Sequence, residues 1–433
     1  MTVSPGMFSV IISSDPQYPW YDGVLPEGLK TEDEIKLNSA RQISEQYESM
    51  NELAKQRRET GSLFPVHGVL INGDLTAFGH DWQMEKYKEL LGKLELPYYP
   101  GLGNHDYANN VDDSYNNNCA MRMVDFMYGW LRLHTGMLKY DFAERSYYKF
   151  PELRVDYTGS LAYSFNIGKV HFVQLQNFPS YTDNWDSWNA GSARRDFFFI
   201  KPSFAWLKND LAIARNRGDV IIVSLHDYHD NFIEPFVTEF NDITNKYGVS
   251  AVFAGHIHRN CGKIGTIGSS NIPFFRSGAA SYQDYLVADI DTEQKKMIVR
   301  KRACPLNGMY DFTGDSWECN LNDTIPYPPM PVPPTEGHVT FFNDGGFEAR
   351  FELHYTYGGE TLVFKTGNMT LGNKKTYYIP PDATDVWIIG QEYTGLVWEG
   401  WRTVFDLRFA SPPNNCFKLY GTTLHPKWNN DCS

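Results

Sequence analysis

The sequence predicts an α/β domain followed by a small all-β sandwich, and three observations carry that expectation. Over residues 7–302, short apolar runs that end in glycine and polar residues alternate with segments of helical period. Residues 326–334 then hold six prolines in nine positions, a stiff and extended break. Beyond it the pattern changes to period-two strands with Gly and Asn turns, as in a sandwich. The expected organisation is an α/β domain over 7–302, a linker over 303–335 and a β-sandwich over 336–433.

In chain order, residues 7–12 form an apolar run that ends in Asp15, Pro16 and Gln17, a buried first strand with polar residues at its tip. A helix is expected from Asp33, because Ile43, Tyr47, Met50 and Ala54 step by four, three and four before Gly61. Residues 68–72 give a second strand ending in Gly73 and Asp74, and Met84, Tyr87, Leu91 and Leu94 mark the next helix. The third strand, over 97–102, leads into Gly103, Asn104, His105 and Asp106. Residues 107–159 are aromatic and Asn-rich without clear period, so they read as an irregular insertion over the strand ends. Residues 162–167 and 170–175 form a hairpin about Gly168 and Lys169, and another aromatic loop precedes a helix carrying Phe204, Leu207, Leu211 and Ala214. The strand over 220–225 ends at His226, and a helix follows with Phe236, Phe240, Ile243 and Tyr247. Residues 249–253 then deliver Gly255, His256, Ile257 and His258, and short strands continue to Arg302.

A chain of 433 residues exceeds the about 100–200 residues usual for one domain. Its net charge of -13 disfavours a nucleic acid held through its backbone and steering to anionic lipid by a basic patch. No apolar run approaches the roughly 20 residues that span a bilayer. Residues 1–6 lack a charged start and an apolar stretch, so an exported protein is expected either as a mature form or without an amino-terminal signal. The six cysteines show no two-residue spacing of a zinc cluster. A Cys304–Cys319 bridge would contribute about 3 kcal/mol, and Cys416 with Cys432 would pin the C-terminus. Free buried thiols are the other reading.

Five strand tips thus carry ligand-type residues: Asp15 and Gln17, Asp74, Asn104 with His105 and Asp106, His226, and His256 with His258. In open α/β proteins, sites form outside the carboxyl ends of the strands, so these dispersed residues can converge. Carboxylates, amide oxygens and imidazoles together suit borderline divalent metals. A lone Gly-Asp or a lone His at a strand end is more often a turn or a surface residue; the ordered set is what points to a metal. His229 competes with His226, which directly follows the apolar run. His80, His134 and His171 match no motif and default to packing or surface.

The order and spacing of these motifs resemble the calcineurin-like metallophosphoesterases over about residues 7–300. The resemblance implies a four-layer αββα sandwich and a phosphohydrolase with two divalent ions drawn from manganese, iron, zinc or magnesium. It implies that Asp15, Gln17 and His258 bind one ion, that Asn104, His226 and His256 bind the other, and that Asp74 bridges them. His105 is then the general acid, with Asp106 holding it. The family's first motif usually has His where Gln17 stands, and a subset carries Gln. The metal-binding Tyr of purple acid phosphatases has no counterpart in residues 75–78. Substrates consistent with the resemblance are phosphorylated small molecules, nucleotides or lipid head groups, as monoesters or diesters; no duplex nucleic acid is expected.

Residues 392–402 form a dense aromatic loop with Trp398, Trp401 and Arg402. Two indoles beside a glycine suit a membrane boundary or, alternatively, a sandwich core. The run resembles the undecapeptide of the cholesterol-dependent (thiol-activated) cytolysins at eight of eleven positions, with Tyr393, Val397 and Gly400 differing. Residues 421–426 resemble the same family's sterol-recognition loop, whose Thr-Leu pair is here Thr423 and Leu424. These likenesses imply a membrane-binding β-sandwich, and hence a secreted protein, associated peripherally with cholesterol-containing membranes and possessed of a role in virulence. The domains that build a pore have no counterpart. The alternative is a cytolysin-like membrane- or glycan-binding toxin component with a degenerate metal domain.

Overall fold

The computed structural model describes residues 6–20, 31–108, 118–149, 152–189, 194–304, 309–332, 337–357, 360–381, 383–395, 400–409 and 412–431. The chain divides into two compact units, Met1–Met330 and Pro331–Ser433.

In the larger unit, β1 (Met7–Ser13) is buried almost throughout, as a strand in a sheet covered on both faces must be. Helix α1 (Glu32–Glu59) starts at a capping box: Thr31 Oγ1 accepts the Glu34 N–H at 3.2 Å and the Glu34 carboxylate accepts the Thr31 N–H at 2.9 Å. Its Ile43, Tyr47, Met50 and Ala54 form the buried face that their spacing requires. Strand β2 (Val66–Ile71), helix α2 (Asp81–Leu91) and strand β3 (Tyr98–Pro100) follow, and β1, β2 and β3 run parallel.

The stretch expected to be irregular instead contains α3 (Asn118–Leu133) and β4 (Lys139–Lys149). Cys119, Ala120, Met123, Val124, Met127, Trp130 and Leu131 make one buried stripe on α3. That stripe has helical period, and the surrounding aromatic and Asn-rich composition obscured it. Strands β5 (Glu152–Ile167) and β6 (Val170–Gln174) form the expected hairpin. The aromatic loop after it holds two further strands, β7 (Asp183–Asn189) and β8 (Arg194–Ile200). Then come α4 (Phe204–Arg217), β9 (Val220–Leu225), α5 (Phe236–Lys246), β10 (Ala251–Ala254), β11 (Gly262–Ile267), β12 (Ile272–Arg276), β13 (Asp284–Asp291) and β14 (Lys296–Ala303). Strand β15 (Asp311–Asn320) lies in the stretch expected as linker; it pairs with β14 and tucks Cys319 into the core. Its other side chains are mostly exposed, which hid it from a hydrophobicity pattern.

One sheet has the order β15-β14-β13-β1-β2-β3, and the other has β11-β12-β10-β9-β6-β5-β8-β7 with β4 paired to β5. Tyr47, Met50, Tyr87 and Leu90 pack α1 and α2 into the core of the first sheet. Leu207, Leu211, Phe240 and Ile243 cover the second sheet from α4 and α5 against Ile221, Val223 and Val252. The result is the four-layer αββα sandwich. Strands β6, β9 and β10 are mutually parallel in the second sheet, so both sheets send strand ends out at the site.

The smaller unit is all β: β16 (Gly337–Gly345), β17 (Ala349–Tyr357), β18 (Glu360–Lys365), β19 (Lys374–Ile379), β20 (Thr384–Tyr393), β21 (Trp401–Phe409), β22 (Asn414–Thr422) and β23 (His425–Asn429). The sheets β19-β16-β22-β23 and β18-β17-β20-β21 enclose Phe341, Phe351, Phe405 and Phe417. Alternate residues of β16 and β17 face this core, as period two demands. Cys319 is a free buried thiol, so the Cys304–Cys319 bridge is not formed; Cys319 sits opposite Met297 at one end of the β14–β15 pair, whereas Cys304 follows Ala303 at the other end. Cys416 is disulfide-bonded, and Cys432, expected as its partner, lies outside the described residues.

Truncating a fully buried α1 side chain tests the layer arrangement. Ile43→Ala is expected to lower the stability of the larger unit by about 2–5 kcal/mol, read as a shift in the denaturant midpoint by circular dichroism.

Candidate metal centre

The tips of β1 and β2 are bound to each other through the backbone. Asp15 N–H donates to Gly73 O at 3.1 Å and Gln17 N–H donates to Asp74 O at 2.9 Å. Asp15, Gln17 and Asp74 take φ of 50°, 42° and 50°, a left-handed conformation that costs of order 1–3 kcal/mol each. That strain turns their side chains outward beyond the strand ends. Asp106, fully buried, ties β2 to β3. Its carboxylate accepts the N–H of Leu75 at 3.0 and 3.1 Å, of Thr76 at 3.2 Å and of Gly103 at 3.0 Å. Gly103 permits this approach, because a Cβ there would overlap Asp74 Oδ1. Leu102 N–H donates to Gln176 Oε1 at 2.6 Å, which joins the β3 tip to the end of β6 in the other sheet.

From the second sheet, His226 N–H donates to Gln176 O at 2.8 Å and Asn177 O at 3.0 Å. The His226 ring donates through Nδ1 to Asn72 O at 2.7 Å. Its Nε2 then faces Asn104 Oδ1 at 3.1 Å and Asp74 Oδ2 at 3.2 Å. His256 N–H donates to Asp15 Oδ2 at 3.1 Å, and its ring places Nδ1 3.0 Å from the same Asn104 Oδ1. His256 Nε2 lies 3.1 Å from Asp230 Oδ2. Ligand atoms of Asp74, His226 and His256 lie within 4.8 Å of one another.

With both outer ring nitrogens committed as donors, both inner nitrogens turn lone pairs toward an amide oxygen and a carboxylate. Acceptors that face acceptors in a buried site require a positive charge among them. Without metal a proton can supply it. Burial disfavours the charged form of His226, but Asp74 and then Asp15 outweigh burial and hold the ring up at about 10. A divalent cation supplies the same charge and displaces the proton. Beside this cluster, His258 Nε2 lies 3.2 Å from Asp15 Oδ1. Gln17 Oε1 is buried with no hydrogen-bond partner, an orphaned oxygen that fits a cation. The donor set therefore fits divalent metal, and all seven residues expected as ligands gather at these strand ends.

His105 stands at the edge of the cluster. Its N–H donates to Asp74 Oδ1 at 3.0 Å, and its ring packs against Trp20 and Phe78 at centroid distances of 4.9 and 5.1 Å. The expected orienting role of Asp106 needs correction. Ring Nδ1 lies 2.8 Å from Ala77 O, while the Asp106 carboxylate is turned under the loop and occupied by backbone N–H groups. A buried carboxylate can satisfy several amides at once, and a carbonyl suffices to orient one ring nitrogen. Neither carbonyl acceptor, Asn72 or Ala77, leaves a mark in a side-chain motif. Asp227 was also missed: it accepts the N–H groups of His229 at 2.8 Å, Asp230 at 2.9 Å and Asn231 at 2.8 Å, fixing the turn after β9. Its position directly after His226 was the available signal. His229 packs on Tyr228 and Phe274 outside the cluster. His171 pairs with Asp210 at 2.7 Å, His134 with Trp130 O at 2.7 Å, and His80 precedes α2.

In the smaller unit, Trp401 is half-buried between Tyr393, at 5.4 Å, and the Arg350 guanidinium, at 4.3 Å. Arg402 pairs with the buried Glu392 and donates to Thr423 O. Leu424 is 77% exposed. Gly400 takes φ of 65°, a backbone region that the Trp of the related peptide would rarely adopt. Trp398 lies outside the described residues.

A family model described as calcineurin-like phosphoesterase matches residues 9–260, and one described as thiol-activated cytolysin beta sandwich domain matches residues 338–427. Listeriolysin O of Listeria monocytogenes serotype 4a (strain HCC23) is 33% identical over 109 residues, 22% of this chain and 20% of that protein. Alveolysin of Paenibacillus alvei is 31% identical over 107 residues, 22% of this chain and 21% of that protein. The chain thus spans about a fifth of the length of the curated relatives it matches. Among solved structures, the membrane-binding domain of pneumolysin is similar at 18% identity and a TM-score of 0.19, over 23% of this chain and 98% of that one. Suilysin from Streptococcus suis is similar at 16% identity and a TM-score of 0.20, over 32% and 39% of the two chains.

The electrostatics make a prediction for protein stripped of metal by chelation. His226 has its ordinary value of 6.5 raised to about 10, so its contribution to stability is complete below 6.5 and lost as pH rises through about 10. Asp106 is pushed from 3.8 up to about 8 by burial and then by the Asp74 charge, against its backbone N–H partners. It also binds more proton when folded, so between those values it too loses stability as pH rises. The Tm of the stripped protein should therefore fall between pH 6.5 and 10, and excess divalent metal should flatten that slope in a thermal-shift assay.

Proposed function

The chain belongs to the calcineurin-like phosphoesterase family, and from that premise we propose a binuclear phosphohydrolase that its C-terminal sandwich brings to cholesterol-containing membranes. Membership makes the larger unit a metal-dependent phosphoesterase, and residues 338–427 are a thiol-activated cytolysin β-sandwich domain. The number of ions, the residue roles and the sterol target are the proposal. One observation carries it: Asp74, Asn104, His226 and His256 converge with acceptor atoms inward and the outer nitrogens of both rings engaged elsewhere.

In this reading Asn104, His226 and His256 would hold one divalent ion, Asp15, Gln17 and His258 would hold the second, and Asp74 would serve both. Ions bound there supply a water activated near neutral pH and positive charge against the phosphoryl oxygens. The chain's own groups do the rest. Ala77 O holds the Nδ1–H of His105, so that in its doubly protonated form the ring presents Nε2–H to the leaving oxygen and returns to the neutral Nδ1–H form after giving that proton up. Trp20 and Phe78 restrict that ring from its sides. Asp106 keeps the two loops carrying Asp74 and Asn104 at fixed separation. Either a phosphomonoester or a phosphodiester meets these requirements.

Support for membrane delivery comes from the smaller unit. Arg402 links Glu392, at the base of the aromatic loop, to the backbone of Thr423, and Leu424 stands exposed beside it. A secreted protein acting at a host-type membrane accommodates both domains.

Turnover of a phosphomonoester and of a phosphodiester should depend on added divalent metal and vanish on chelation. Asp74→Asn should reduce turnover to background while the protein stays folded. His105→Ala should lower kcat by about 10²–10⁴-fold, with a smaller loss on esters whose leaving group needs no proton. Unchanged turnover in purified Asp74→Asn protein contradicts the enzymatic reading. In flotation, recovery should require cholesterol in the liposomes and fall in a Thr423→Gly/Leu424→Gly variant; equal recovery without sterol removes the targeting claim.

A further inference from the structure

The two imidazoles that meet at Asn104 Oδ1 are held from behind by different groups. His226 is set by a buried backbone carbonyl, Asn72 O at 2.7 Å. Among the described residues, no carbonyl takes that place for His256. Its Nε2 lies 3.1 Å from Asp230 Oδ2, and Asp227 Oδ2 is further off at 3.9 Å. Asp227 has its oxygens occupied by the N–H groups of His229, Asp230 and Asn231 and by the Asn231 side-chain amide. Those bonds fix the turn from which Asp230 reaches the ring. Asp227 thus shapes the loop, and Asp230 makes the close contact.

We propose that Asp230 is the positioning carboxylate of His256. Resting on the ligand role given to His256 above, it keeps the proton of the neutral ring on Nε2 and turns Nδ1 toward Asn104 and Asp74. A carboxylate in that place both selects the tautomer and makes the ring a stronger donor to a cation. The position of Asp230 argues against a purely structural role. Its side chain is 59% exposed, and an exposed pair of this kind adds little to folding stability. Its effect should appear in metal affinity instead.

The test uses the full chain, stripped by chelation and titrated with manganese chloride in a calorimeter. Wild type should take up two ions. Asp230→Ala should weaken one of them by about 10–100-fold, leave the other as in wild type, and leave the unfolding midpoint of the stripped protein unchanged. Asp230→Asn, which keeps an oxygen acceptor but no charge, should fall between. Asp230→Ala protein that binds both ions with wild-type affinity overturns the inference. So does a variant in which both ions weaken together with a loss of folding stability, since that marks a general role for the turn. Wild type that binds no manganese would defeat the ligand reading first, before any variant is compared, and the inference with it.

Discussion

The site depends on one buried carboxyl group whose hydrogen bonds all go to backbone amides. Asp106 gathers N–H groups from Leu75 and Thr76 on one loop and from Gly103 on the next. Those loops carry Asp74 and Asn104. The separation of these loops follows from the three residues whose amides share one carboxyl group. The arrangement works only because Gly103 has no side chain where Asp74 comes closest. Gln176 then extends the tie across to the second sheet by accepting from Leu102, which brings the histidine loops into the same frame.

What this frame holds is unfavourable without a cation. Left-handed φ at Asp15, Gln17, Asp74 and His256 stores backbone strain at the strand ends. Oxygen and nitrogen lone pairs are then pointed at one another in a buried place. Folding energy from the two large cores must offset both. On the proposed reading, the return is a preorganised set of ligands, which need not reorganise when metal and phosphate arrive. His105 follows the same logic: a carbonyl, two aromatic rings and a backbone bond to Asp74 fix it before any leaving group is present.

Much of this could be read from the residues. Apolar runs such as that of β9 have one length and one environment that suit them, and the residue types at their tips announce a metal. The α1 spacing of Ile43, Tyr47, Met50 and Ala54 likewise admits little besides a helix. Other features were hidden for physical reasons. The stripe of α3 is helical but sits among Asn and aromatic residues, and β15 exposes nearly all its side chains, so its existence depends on β14 beside it. The carbonyls of Asn72 and Ala77 belong to the backbone, where side-chain motifs carry no information. Adjacency of Asp106 to His105 in sequence suggests a contact between them, but neighbours in a turn need not point their side chains toward each other, and Ala77 O takes that place. Asp230 meets His256 across 26 positions, a contact only the folded turn creates.

The C-terminal sandwich is a compact unit of its own. Its Arg402 joins the buried Glu392 to the backbone of Thr423, next to the exposed Leu424. The claim at the centre, however, is that two cations sit among the strand ends. It is tested most directly by anomalous diffraction from crystals grown with manganese. The account predicts two peaks about 3.5–4 Å apart, one bounded by Asn104, His226 and His256, the other by Asp15, Gln17 and His258, with Asp74 touching both. A single peak, or metal bound away from Asp74, would contradict it.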